Sequence, residues 1–153
     1  MSPVREHTLR IEDVSVVDQL PELQVQLTRT VIVSTAIATR DYQDVHHDPS
    51  LAVERGSKDI FMNILSTNGF VGRYVTDWSG PGAVIESVSI RLGAPNYPGD
   101  TMVLTGEVTE VTLPSAGSRG TVTVTLTGRN SLGSHVTGKV RLSLPSVRDQ
   151  GAP

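Results

Sequence analysis

From residue 84 onward the chain alternates apolar and polar side chains so regularly that it reads as antiparallel sheet. In TVTVTLT (121–127), Val122, Val124 and Leu126 share one face, and Thr121, Thr123, Thr125 and Thr127 share the other. VTGKVRLSL (136–144) repeats the pattern, with Val140, Leu142 and Leu144 opposed to Lys139, Arg141 and Ser143. Asn130 to Gly133 supplies a turn between the two runs, which predicts a hairpin. Upstream, VIESVSIRL sets Val88, Ile90 and Leu92 against Ser87, Ser89 and Arg91, and TMVLTGEVTEV follows the turn-forming PNYPGD. These are four strands. The run from Val25 to Thr39, rich in Val, Ile and Thr, predicts a fifth.

Between that run and the other four lies DIFMNILSTNGFVGRYV, where Ile60, Ile64, Thr67, Val71 and Val75 recur at helical spacing. This predicts one helix of about four turns, with Asp59 or Asn63 as its N-cap. Gly69 and Gly72 are costly inside a helix; tight packing of the helix on a sheet would explain them, and close approach of a ligand is the alternative. The expected architecture is α+β: a five-stranded antiparallel sheet wrapped around a long central helix. Residues 1–24 are expected as an N-terminal extension, 25–146 as the single domain and 147–153 as a flexible tail.

Length agrees with one domain, since 153 residues bury a real core but do not make two ordinary ones. Thirteen Lys and Arg against sixteen Asp and Glu, with no long run of either sign, leave no electrostatic footprint for nucleic acid or an anionic membrane. The absence of cysteine removes disulfides, thiolate ligands and a cysteine nucleophile together. No stretch approaches the ~20 apolar residues of a membrane span, and the charged start lacks a signal-peptide core. A cytoplasmic protein with small molecules or other proteins as partners is the expectation.

Chemistry concentrates in RDYQDVHHDP, residues 40–49, where the chain leaves the uncharged run. Three readings compete. As a metal site it offers two imidazoles and three carboxylates, but adjacent histidines in extended chain point apart, and neither HxH nor HExxH spacing is present. As a structural loop it holds turn and capping residues, with Asp48 before Pro49 opening a short helix. As an acid/base site, Asp41 and His46, five apart on a turning loop, can converge on one water.

The order of a strand, D-x-x-x-x-H-x-D-P, a helix and then a strand ending in R-L-x-x-P-x-x-P-G-D-T resembles the MaoC-like enoyl-CoA hydratases, a hot-dog fold. The resemblance covers residues 29 to 145. It implies that Asp41 and His46 are the catalytic pair, and that Asp48 and Pro49 shape the loop. IVSTAIATRDYQDVHHD and GSKDIFMNILSTNGFVGRYVTDWSGP are similar to one subgroup, the small MaoC-like catalytic subunits of heteromeric steroid side-chain hydratases. That likeness implies a steroid-CoA substrate with a shortened unsaturated side chain, and a larger MaoC-domain partner. It calls for no metal or redox cofactor. Two departures stand out: Gln43 and Asp44 replace the family's usual Asn-Pro, and Met62 and Asn63 replace its His-Gly at the start of the helix. That Gly donates its backbone N–H to the thioester oxygen. Asn63 keeps an N–H there, and unpaired N–H groups around Phe61 to Ile64 would meet the developing charge.

His47 is expected to pair structurally. Tyr42 and Trp78 are candidate pocket walls, although such residues more often belong to a core or an interface, and Arg40, Lys58, Arg73 and Arg91 are unassigned candidates for CoA phosphates. Hot-dog protomers expose an edge strand and generally pair, so a dimer is expected. Two rival functions remain: a hot-dog acyl-CoA thioesterase, and a catalytically silent half of a hydratase assembly.

Overall fold

Five antiparallel strands form one sheet in the order β1-β3-β4-β5-β2. They are β1 (Gln19–Gln26), β2 (Val84–Leu92), β3 (Thr101–Thr112), β4 (Arg119–Asn130) and β5 (Gly133–Pro145). This computed structural model describes residues 4–115 and 119–147, so the tail expected beyond Val147 lies outside the described residues. The alternation places β4 and β5 as expected, with Val122 opposite Leu142 and Val124 opposite Val140, all fully buried. Their threonine partners face the outer, half-exposed side.

The inner face receives the long helix, α3 (Ile64–Ser79), through Val71, Tyr74, Val75 and Trp78. Gly106 on β3 lets that packing be close, because a Cβ there would sit 3.1 Å from the Tyr74 ring. Trp78 is therefore core, not pocket wall. Among the described residues, edge strand β2 pairs only with β5, and its Val88, Ile90 and Leu92 are half-buried.

Three expectations are corrected. The run Val25 to Thr39 is not a strand: β1 ends at Gln26, and α1 (Arg29–Ala38) occupies most of the run. Thr28 caps α1 by accepting the Val31 N–H, and Ile32 and Ala36, four apart, are its fully buried positions. The β-branched residues favour a strand only weakly, and one buried helical stripe outweighs that preference. The packed body also begins before residue 25. Leu20 and Leu23 of β1 are in the core, as is Ile11, and Arg5 and Leu9 donate backbone hydrogen bonds to Asp77 and Ser79. Finally, close packing does not account for the α3 glycines. A Cβ at Gly69 would meet nothing within 4 Å, and one at Gly72 only Ile85 Cδ1 at 3.8 Å.

Candidate active site

Asp41 is placed by the way α1 ends. Arg40, at φ 57°, takes the left-handed position and donates its N–H to Ile37, while the Asp41 N–H reaches back to the carbonyl of Ala36. This pair of bonds is a Schellman cap, and it turns the carboxylate off the helix axis into the space ahead of α3. A short 3-10 turn, Asp44–His46, then brings the imidazole beside it. Asp41 Oδ2 lies 3.4 Å from His46 Nε2, with the His46 side chain 8% exposed and that of Asp41 20%.

The hydrogen bonds fix the histidine. His46 Nδ1 lies 2.7 Å from the Phe61 carbonyl, which can only accept, so Nδ1 carries a proton and Nε2 is the nitrogen turned to Asp41. The Phe61 ring packs edge-on against the imidazole at 4.9 Å. On the carboxylate, Oδ2 accepts from Asn63 Nδ2 at 2.9 Å and Oδ1 from the Gln43 N–H at 3.3 Å. The Asn63 amide, chiefly, holds Asp41 below the usual carboxylate range. Partial burial opposes it, and the Gln43 N–H and the two neighbouring histidines add to it.

The rest of the loop is structural in its contacts. His47 Nε2 donates to the Asp41 carbonyl at 2.6 Å and its ring stacks with Tyr42, which is 70% exposed and lines no part of the site cavity. Asp48 caps α2 (Pro49–Glu54), accepting the N–H groups of Ser50 and Leu51, with Pro49 in the first turn. Asp44 pairs with Arg55. Each histidine thus uses a ring nitrogen on a backbone carbonyl, His46 on that of Phe61 and His47 on that of Asp41. Among the described residues no three His, Cys, Asp or Glu side chains converge as metal ligands.

The start of α3 decides between the two expected caps. Asn63, not Asp59, is the cap, and Asp59 instead forms a two-pronged pair with Arg29. The N–H groups of Phe61 and Met62 are taken by the carbonyls of Val45 and Asn96. Among the described residues no hydrogen bond takes those of Asn63 or Ile64, so of the four expected donors these two stay available to a ligand.

These groups open on a cavity of about 410 Å³, with Asp41, His46 and Asn63 on one side and Leu92, Pro95 and His135 on the other. A depression of about 440 Å³ lies beside Arg29, Asp59 and Asp100, but its charged groups are already satisfied by the Arg29–Asp59 pair and by Ser131. Of the cationic candidates, Arg73 pairs with Asp77 and Lys58 lies 5.8 Å from the Tyr97 ring; Arg40 and Arg91 are exposed.

The sequence reading overlooked His135, which is 1% exposed. It donates from Nδ1 to the Ala94 carbonyl and accepts from the Thr67 hydroxyl at Nε2, and burial pushes it below its ordinary value. Its position gave no period-two signal, because the register slips between Gly128 and Arg129 and leaves both His135 and Val136 buried.

A five-stranded antiparallel sheet around one helix, with an Asp–His pair at the mouth of that helix, is the arrangement of a MaoC-like domain. The chain matches the MaoC like domain family over residues 15–130 and belongs to it. It is 56% identical over 125 residues to the 3-oxo-4,17-pregnadiene-20-carboxyl-CoA hydratase beta subunit of Mycobacterium tuberculosis, covering 82% of this chain and 92% of that one. The crystal structure of the ChsH1-ChsH2 complex from the same organism matches with a TM-score of 0.80 and 55% identity, over 85% of this chain and 98% of that one. R-hydratase PhaJ1 from Pseudomonas aeruginosa shares the fold at a TM-score of 0.77 and 19% identity, over 91% and 87% of the two chains.

Proposed function

We propose that this chain adds water across the double bond of a 2-enoyl-CoA thioester, giving the 3-hydroxyacyl-CoA, and that its substrate is a steroid-CoA with a shortened unsaturated side chain. The observation that carries the chemistry is the 3.4 Å approach of Asp41 Oδ2 to His46 Nε2 at the mouth of α3. A carboxylate oxygen and an imidazole nitrogen this close can engage one water together. That water adds its oxygen to C3 of the substrate. The pair removes one proton from it and returns one proton to C2, so the addition is balanced.

As the C3–O bond forms, charge moves onto the thioester oxygen. The N–H groups of Asn63 and Ile64, at the positive end of a sixteen-residue helix, are set to meet it. Each positioned acid or base typically contributes ~10²- to 10⁴-fold. Proton transfer and oxyanion stabilisation suffice, so the reading calls for no metal or redox cofactor.

The steroid assignment is supported by the Mycobacterium tuberculosis relative, a 3-oxo-4,17-pregnadiene-20-carboxyl-CoA hydratase beta subunit. Assembly with a larger MaoC-domain subunit is supported by the similar crystal structure, which is of a two-protein complex. A cavity of about 410 Å³ is tight for a fused-ring acyl group, which also favours a site completed by a partner. We place the protein in the cytoplasm; among the described residues no helix is long and apolar enough to cross a membrane.

Loss of the conjugated enoyl-thioester absorbance, followed with and without the partner subunit, tests this reading. Hydration that disappears in Asp41→Asn and His46→Ala supports it. Release of free CoA without hydration would make the protein a thioesterase, and near-normal turnover in either variant would remove the pair from catalysis.

A further inference from the structure

We propose that the Asn63 side chain is a positioning residue of this site, a clamp that aims the Asp41 carboxylate at His46 while its own orientation is set by α3. The inference rests on the hydratase reading and concerns a group to which that reading assigns only a backbone N–H.

The amide is held so that it has one way to face. The Ser66 N–H donates to Asn63 Oδ1 at 2.8 Å, and a backbone N–H can only donate. The oxygen is therefore identified by its partner and the other terminal atom must be the nitrogen, which removes the usual ambiguity of an asparagine. Nδ2 then lies 2.9 Å from Asp41 Oδ2 and 3.0 Å from Thr39 Oγ1. Thr39 can accept because its own proton goes back to the carbonyls of Thr35 and Ala36 in α1. Both amide hydrogens and the amide oxygen are used, on a side chain 3% exposed. The last turn of α1, the carboxylate and the first turn of α3 are thereby tied together through one residue.

Glycine at this position, the wider family's usual residue, offers only the N–H; asparagine keeps that donor and adds the clamp. The titratable groups facing Asp41 are His46, at Oδ2, and His47, at its backbone carbonyl. Neither replaces a neutral donor that favours the ionised carboxylate at every pH.

Asn63→Ser separates the clamp from the cap. Serine caps a helix as well as asparagine, is neutral, and is too short to reach both Ser66 and Asp41. The expected result is a melting temperature close to wild type, a fall in kcat of about tenfold or more with a smaller change in KM, and an acid limb of kcat/KM moved to higher pH. Carbon-13 NMR of the Asp41 carboxyl should show it titrating at higher pH than in wild type. Asn63→Asp, which keeps the cap but sets a second carboxylate against the first, should move the titration further in the same direction. An Asp41 titration unmoved in Asn63→Ser, or a kcat equal to wild type, overturns the clamp. The NMR readout needs no turnover, so it decides this point even if the chain proves not to hydrate enoyl thioesters.

Discussion

The inner face of the sheet and the corner where α1 meets α3 are both well buried, yet they are held in different ways. On the sheet, Val122, Val124, Val140 and Leu142 make no directional demand, and dispersion and exclusion from water stabilise any well-filled arrangement. At the corner, Asp41, His46 and Asn63 are fixed by hydrogen bonds in which each donor has a definite acceptor. The first region should therefore respond to volume and leave the chemistry of the folded molecules alone, whereas the second should respond to the identity of single atoms and leave stability nearly alone.

The largest effect expected is at the corner. Asp41→Asn keeps size and most contacts but removes the charge, and hydration should fall by about 10²-fold or more with little change in melting temperature. A wild-type rate, measured by loss of the enoyl absorbance, would erase the contrast between the regions. Next comes Leu142→Ala, which empties a fully buried site opposite Val122 and should cost about 2–5 kcal/mol in denaturant unfolding while the folded fraction keeps its kcat. Asp48→Ala, loss of the α2 cap, should cost about 1 kcal/mol. Arg40→Gly removes a Cβ from a left-handed residue and should stabilise by up to about 1 kcal/mol, with unchanged kcat if the Schellman turn survives.

A pH prediction joins the two regions, because His135 lies in the sheet and lines the cavity. Burial lowers its folded value below the unfolded 6.5, so the unfolded chain binds the proton more readily. This contribution to stability is complete above about pH 6.5 and is lost as pH falls below it toward the folded value. His135→Gln, which can still donate to Ala94 and accept from Thr67, should flatten the slope of unfolding free energy in that window; an unchanged slope would assign the slope to other groups.

Legibility followed the same division. Four of the five strands were read correctly, because side-chain period in a half-wet sheet repeats the burial period. Residues 25–39 misled, since Val, Ile and Thr favour extended chain locally while Ile32 and Ala36 are buried as one helical stripe. The five-residue step from Asp41 to His46 was visible in the sequence, but not the Schellman turn at Arg40 that makes it converge. The Asn63 clamp was hidden for a different reason: Thr39, Asp41 and Asn63 stand up to 24 residues apart in the chain.

What the sequence determined by itself is therefore the alternating sheet, the long helix and the presence of an Asp–His pair, all of which depend on near neighbours. Only the tertiary structure decided that α1 is a helix, that Asn63 faces Asp41 with its nitrogen, and that, of the N–H groups of residues 61 to 64, those of Phe61 and Met62 are taken by backbone carbonyls. Each of these depends on partners contributed from distant parts of the chain, and a hydrogen bond is specified by both of its ends.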